Sequence, residues 1–306
     1  MGFFEKLGFG KKNSSQGQAG SRVIKSTRRV DIDARFERKR TAVSGTMSKF
    51  FAARDRDSDE LVGLKLCDLE KFSFFESRFK GMSKPAEGEI AATMDHPNII
   101  RTLEFGLSTK KEPYLIMELI EGPGLNTLIQ NQDTERLGNH RLSLIRQMAD
   151  SLSYVHKKGF IHRDICPRNF ICSTDITHIK LIDFGLTVPA TEPFMRPGNR
   201  TGTPLYMAPE IVRRRSTDQR LDIFAFGVSL YQLLTFDFPW PGGETSGLAA
   251  LNHDTSNPRD IFNYRPDLNK TLGGLVMQCV QPKPEDRIQT MEQFVRMLRT
   301  VESEFE

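Results

Sequence analysis

Apolar and polar positions change rhythm partway along this chain. Ahead of residue 120 the apolar residues come in short runs. Phe50-Phe51-Ala52-Ala53 and Leu61-Val62-Gly63-Leu64-Lys65-Leu66 flank the polar stretch Asp55-Arg56-Asp57-Ser58-Asp59-Glu60, which has hairpin composition. Tyr114-Leu115-Ile116-Met117-Glu118-Leu119-Ile120 reads as a buried strand, ended by Glu121-Gly122-Pro123-Gly124. One helix is expected in this part, within 85–95, and Pro97 keeps it from continuing. Farther on, Leu142, Ile145, Met148, Ala149, Leu152 and Val155 recur three or four apart and predict a helix over 139–158. Residues 221–234 are apolar for long enough to make a buried helix, and 289–301 are amphipathic. The pattern predicts an α+β protein of two lobes: a small strand-rich lobe over 30–120 and a larger, mainly helical lobe over 121–306, joined near 118–124. No internal repeat is present.

Charge adds a third region. Residues 1–40 hold eleven Lys/Arg against four Asp/Glu, a net +7, whereas the whole chain of 306 residues carries +4, so the remainder is net −3. The basic excess belongs to a leader, expected to be disordered over residues 1–29, with a short apolar start (Phe3, Phe4, Leu7, Phe9) and a Ser/Gln/Gly/Lys-rich continuation. Such an arm suits weak contact with a membrane surface or a partner; it is too short to anchor by itself. The body has no zinc-ligand spacing, no RNA-binding aromatic signature and no net positive charge, so nucleic acid is not an expected partner. Cys67, Cys166, Cys172 and Cys279 form no close pairs and read as reduced thiols. No apolar run reaches the length of a membrane span. A cytoplasmic location is expected, peripheral to a membrane if the leader binds one.

Several short motifs follow one another in a fixed order. Val62-Gly63-Leu64-Lys65 sets a cation on a strand. His162-Arg163-Asp164-Ile165-Cys166-Pro167-Arg168-Asn169 and Asp183-Phe184-Gly185 offer carboxylate and amide oxygens, the hard donors that Mg²⁺ takes. Thr201-Gly202-Thr203-Pro204-Leu205-Tyr206-Met207-Ala208-Pro209-Glu210 comes next, then Asp222 opening an apolar helix and Arg287 in Pro284-Glu285-Asp286-Arg287. Each motif alone is weak, but the ordered set is specific, and from about residue 40 to 300 the chain resembles the eukaryotic-like (Hanks-type) Ser/Thr protein kinases.

The resemblance implies the two-lobe protein kinase fold and transfer of the γ-phosphate of ATP to Ser or Thr of protein substrates, with Mg²⁺ as cofactor and Mn²⁺ as the alternative. It implies that Lys65 neutralises the α- and β-phosphates, and that a helix carboxylate fixes it: Glu87, with Glu89 the alternative. Met117 stands at the back of an adenine pocket, the Glu118 carbonyl and the Ile120 N–H recognise the base, and Gly63 and Ile171 sandwich it. Asp164 is the catalytic base, and Asn169 and Asp183 are the metal ligands. Phe184, Gly185 and the segment to Glu210 form the activation segment, in which Thr203 touches Asp164. Glu210 pairs with Arg287, and Asp222 holds the catalytic-loop backbone.

The chain departs from the family at three places. The glycine-rich loop falls on Val43, Gly45, Ser48 and Phe50, and only Gly45 matches, which implies weaker nucleotide binding. Cys166 replaces the usual catalytic-loop lysine, and Arg168, four residues after Asp164, is expected to supply the missing cation. Asn199 stands where a phosphothreonine is common, leaving Thr191 and Thr201 as candidates to meet Arg163, or a segment ordered without modification. The rival expectations are a pseudokinase scaffold of the same fold and, disfavoured by the Thr203–Glu210 sequence, a small-molecule or lipid kinase.

Overall fold

The computed structural model describes residues 23–39, 43–44, 48–198, 201–241 and 249–306. The chain divides into two compact units. One comprises the chain up to Gly88 together with Thr102–Met117; the other comprises Glu89–Arg101 and Glu118–Glu306.

The first unit is built on a sheet of seven strands: β1 (Ile24–Lys25), β2 (Phe36–Arg38), β3 (Val43–Ser44), β4 (Ser48–Asp55), β5 (Leu61–Cys67), β6 (Thr102–Leu107) and β7 (Pro113–Glu118). The order is β1-β6-β7-β5-β4-β2, with β3 also on β4; β1 runs parallel to β6. The polar stretch 55–60 does turn the chain, and β4 and β5 pair antiparallel from Ser48↔Cys67 to Arg54↔Leu61. Strand alternation then places Ala53, Val62 and Leu64 in one apolar cluster with Tyr114 and Ile116. Ile32 and Phe36 join that cluster from α1 (Ile32–Arg35) and β2, with Asp31 capping α1 through its side chain. Arg35 is held there by Asp55 at 2.7 Å and Glu104 at 3.0 Å, and Tyr114 donates to Glu104 at 2.5 Å.

Two expectations for this region need correction. The leader was expected to be unstructured to residue 29, but Ile24 and Lys25 pair with Glu104 and Phe105, and the Ser26 N–H donates to the Phe105 carbonyl at 2.9 Å. Both strand residues are exposed, so the edge pairing is made by the backbone and leaves no apolar signature. The apolar start of the leader lies outside the described residues. The expected helix is present as α3 (Glu87–Ala91), but among the described residues of this region it is joined by two others, α1 and α2 (Leu69–Glu76). Asp68 caps α2 by accepting from the Glu70 and Lys71 N–H groups at 3.1 Å each. Between α2 and α3, where Ser77–Phe79 form a 3-10 turn, Lys84 turns its ammonium inward onto Glu76 at 2.9 Å and over the rings of Phe75 and Phe79, which ties this stretch back to the end of α2.

The second unit is mainly helical: α4 (Leu125–Gln130), α5 (Thr134–Leu137), α6 (Arg141–Lys157), α7 (Glu192–Met195), α8 (Pro209–Val212), α9 (Arg220–Thr235), α10 (Ala249–Thr255), α11 (Lys270–Cys279) and α12 (Met291–Leu298). Short strands β8 (Phe160–Ile161), β9 (Phe170–Cys172), β10 (Ile179–Leu181) and β11 (Val188–Pro189) pair as β8–β11 and β9–β10. Helices α6, α9 and α12 match the three expected from spacing. In α9 every residue from Leu221 to Leu234 is buried, as its all-round apolar character requires. Among the described residues no helix is long and apolar enough to cross a membrane.

Candidate active site

Within the first unit, alternation along β5 sends Val62 and Leu64 into the core and leaves Lys65 on the opposite face. Lys65 is 2 % exposed, and a buried ammonium is tolerated only with a counter-charge. Glu87 supplies it: Oε1 of its buried carboxylate pairs with Lys65 Nζ, while the Cys67 thiol lies 3.9 Å from Oε2. Phe50, the register partner of Lys65 on β4, sets its ring 5.2 Å from the same nitrogen. Lys65 thus pairs with Glu87, the carboxylate preferred from the sequence. Gly45 lies outside the described residues.

Within the second unit the catalytic loop is shaped by Asp222. This carboxylate is fully buried on α9 and accepts the backbone N–H groups of His162 and Arg163 at 2.8 Å each, with His156 Nε2 at 2.9 Å. Burial alone would raise its pKa; His156, His162 and the backbone donors outweigh burial and hold the carboxyl below the usual range. Those bonds stabilise a bend in which Arg163 has φ 68, a conformation costly for a residue with a side chain. Burial also lowers the pKa of His162 and favours its neutral form. The ring meets Phe184 edge-on, with centroids 5.3 Å apart.

Asp164 emerges from this bend with a defined set of donors. Its Oδ1 accepts Thr203 N–H at 3.1 Å and Thr203 Oγ1–H at 2.7 Å, and Asn169 Nδ2 donates to its Oδ2 at 3.0 Å and to its carbonyl at 2.7 Å. Asn169 commits its amide N–H groups to Asp164, so its amide oxygen is directed elsewhere. The β9–β10 hairpin pairs Phe170 with Leu181, and the Ile182 N–H donates to the Asn169 carbonyl at 2.9 Å, so chain separation between Asn169 and Asp183 is closed by backbone pairing. Asp183 has φ 66, and its Oδ1 accepts the Gly185 N–H at 3.0 Å.

Cys166 is almost fully buried, and burial pushes its thiol up to about 12, with Asp164 adding to the shift. Burial therefore favours the neutral thiol, which carries no charge into the site. Arg168 is about half exposed and reaches back: its Nη2 lies 3.3 Å from Thr203 Oγ1 and 3.7 Å from Asp164 Oδ2.

The segment after Gly185 is tied down at many points. Gly202 has φ 128, and a Cβ there would lie 2.9 Å from the Arg163 carbonyl, so only glycine lets the chain pass. Thr201 is nearly buried, with its hydroxyl 3.4 Å from Arg163 Nε, whereas Thr191 is exposed just ahead of α7. Asn199 lies outside the described residues. Tyr206 donates to Gln232 at 2.6 Å, and Glu210 forms a two-pronged pair with Arg287 at 2.8 Å on each side. His253 on α10 lies with Nδ1 2.8 Å from the Met207 carbonyl, its ring 4.4 Å from that of Trp240. Nothing local marks His253 in the sequence, since its partner is 46 positions away.

Of the residues expected around adenine, Met117 is buried and pairs with Thr102. Glu118 accepts the Arg101 N–H at 2.7 Å and pairs with Lys180 at 2.6 Å. Ile171 is half-buried in β9 and bridges to Gly124. Gly122 has to be glycine, because a Cβ would lie 2.0 Å from the Cys172 carbonyl.

The family described as protein kinase domain matches residues 36–297. Serine/threonine-protein kinase pkn3 of Myxococcus xanthus is 30% identical over 270 residues, covering 85% of this chain and 48% of the relative. Serine/threonine-protein kinase AtPK1/AtPK6 of Arabidopsis thaliana is 32% identical over 267 residues, covering 87% of this chain and 54% of the relative. Serine/threonine-protein kinase PknB of Mycobacterium leprae is 27% identical over 253 residues, with 80% and 39% covered. The chain therefore spans about half or less of the length of these relatives.

Proposed function

Because the chain belongs to the protein kinase domain family, we propose that it transfers the γ-phosphate of ATP to Ser or Thr side chains of protein substrates. The observation that carries this reading is the carboxylate of Asp164, oriented by Thr203 on one oxygen and Asn169 on the other. A carboxylate held in this way can accept the proton of a substrate hydroxyl as it attacks phosphorus. Lys65, kept in place by Glu87, neutralises the α- and β-phosphates. Met117 and Ile171 offer apolar surface to adenine. The base is recognised by the Glu118 carbonyl and by the Ile120 N–H, which has no hydrogen-bond partner among the described residues.

The family uses a divalent ion, and we propose Mg²⁺, held by Asn169 and Asp183, with Mn²⁺ the alternative. Two hard oxygen donors fit that ion, which completes its shell with phosphates and water, and the described residues contain no cluster of three or more His, Cys, Asp or Glu that would make a closed metal cage. When bound, the ion offsets phosphate charge. Phe184, Gly185, Thr203 and Glu210 order the activation segment on which the substrate rests, and Asp222 and Arg287 are its scaffold. A cytoplasmic setting, with the basic leader as a weak contact for a membrane surface or partner, belongs to the same proposal.

Arg168 is the proposed substitute for the missing lysine. Its guanidinium is already beside Thr203 and Asp164, and its half-exposed stem leaves room to reach a transferring phosphoryl group. Arg168→Ala is expected to lower kcat by well over tenfold, about 2–4 kcal/mol of transition-state stabilisation. Steady-state rates with a peptide acceptor check this, and an unchanged kcat removes Arg168 from the chemistry.

The reading as a whole is tested with γ-labelled ATP and a generic basic protein, omitting the metal in turn. Wild type is expected to label Ser and Thr in a metal-dependent way, and Asp183→Ala to lose the label. Equal signal from both would leave a pseudokinase scaffold as the function.

A further inference from the structure

The turn between α8 and α9 carries three consecutive exposed arginines, Arg213, Arg214 and Arg215. It is fixed to the activation segment by backbone bonds. Arg213 N–H donates to the Pro209 carbonyl at 2.9 Å, Arg215 N–H to the Glu210 carbonyl at 2.9 Å, and Thr217 N–H to the Met195 carbonyl of α7 at 2.8 Å. Arg214 has φ 54, in the left-handed region that side chains with a Cβ seldom enter. The turn is a rigid mount rather than a loose loop.

Nearby carboxylates are already engaged. Glu210 is paired with Arg287, Asp218 with Arg220 at 2.7 Å, Glu192 with Arg196 at 2.9 Å, and Asp254 with Arg213. Among the described residues no carboxylate pairs with Arg214 or Arg215. Among the described residues, therefore, two positive charges stand without a paired carboxylate on a fixed turn directly after the segment on which a protein substrate would rest. An incoming carboxylate gains their attraction without having to break an existing ion pair.

We propose that Arg214 and Arg215 form a docking surface for an acidic segment of the protein substrate. This rests on the kinase reading only for the identity of the partner. Two charges are too few for a nucleic-acid footprint, which neutralises several phosphates, or for a membrane patch, which takes a cluster of about four to eight basic residues. They suffice to discriminate between peptides that differ in charge.

The test measures binding, not transfer. Peptides with Ala in place of the acceptor Ser or Thr are titrated into the full chain by fluorescence anisotropy: one neutral, one with added Asp and Glu, one with added Lys. Wild type is expected to bind the acidic peptide about tenfold more tightly than the neutral one at low salt, an advantage that shrinks as salt rises. The double variant Arg214→Glu/Arg215→Glu, at exposed positions, is expected to lose that preference and favour the basic peptide. Equal wild-type affinities for acidic and neutral peptides, or an acidic preference that survives the charge reversal, overturns the proposal. So does binding of phosphatidylserine vesicles or a short DNA duplex that the reversal abolishes while no acidic-peptide preference exists. Since none of these peptides can be phosphorylated, a chain that fails the labelled-ATP assay still gives a clear answer here.

Discussion

Asp164→Asn lowers kcat by about 10²–10⁴-fold, the range for removing a positioned general base, and leaves the KM for ATP close to that of wild type. The substitution is chosen because it separates chemistry from shape. An amide oxygen at the place of Oδ1 still accepts from the Thr203 N–H and Oγ1–H, so the activation segment keeps its anchor. What disappears is the negative charge and its capacity to take a proton. The amide nitrogen also faces Asn169 Nδ2 where a carboxylate oxygen accepted before, so one hydrogen bond is lost. That loss is worth about 1 kcal/mol, close to a tenfold effect, and cannot by itself produce the larger fall. Single-turnover rates of wild type and variant at saturating ATP make the measurement. A kcat within tenfold of wild type would mean that Asp164 is only an anchor for Thr203 and Asn169, and the proposed base would have to be sought elsewhere.

How far this site could be read from sequence depends on what kind of signal each part leaves. The β4–β5 hairpin was legible because alternating apolar positions on either side of a charged turn are a local pattern, and so were α6 and α9, whose spacing reflects one buried stripe and one fully buried helix. The side chains proposed for catalysis stood out for a different reason: Lys65, Asp164, Asn169 and Asp183 occur in a fixed order with the chemistry that phosphate and a hard cation require. The partner of Lys65 followed from position, and burial of both groups in one pair is the physical constraint behind it. Features made by distant backbone or by tertiary packing left no such trace. Ile24 and Lys25 join the sheet through main-chain pairing, with exposed side chains that look like any polar leader. The break between α2 and α3 depends on Lys84 finding Glu76 and two aromatic rings, a packing event that periodicity does not encode. The contact of His253 with the Met207 carbonyl joins residues that no local motif relates. The orientation of Arg168 toward Thr203 belongs with these: its spacing from Asp164 suggested a role, while the direction of the guanidinium is a property of the fold.

Arg287→Ala destabilises the second unit by about 3–5 kcal/mol, the cost of breaking a buried ion pair and leaving one charge behind. Arg287 is almost fully buried, and its guanidinium has no spare donor. Nη1 and Nη2 each reach one oxygen of Glu210 at 2.8 Å, Nε donates to the Gln281 carbonyl at 2.7 Å, Nη2 also to the Pro282 carbonyl at 2.8 Å, and Nη1 to the Arg220 carbonyl at 3.1 Å. The ring of Phe224 lies 4.9 Å from the guanidinium carbon. Truncation therefore strands a carboxylate and three backbone carbonyls in a dry environment and opens a cavity beside an aromatic core residue. Arg287→Lys keeps the charge but cannot form the planar two-pronged contact, so it is expected to fall between wild type and alanine. Trp240, the chain's single tryptophan, is buried and stacks on Phe224 with centroids 5.7 Å apart, which makes its fluorescence a reporter of this region during urea unfolding. A large loss relative to the 5–15 kcal/mol typical of whole proteins should move the Trp240 transition to clearly lower urea. A shift equivalent to under about 1 kcal/mol would put the pair in the class of exposed salt bridges and contradict the burial on which its scaffolding role rests.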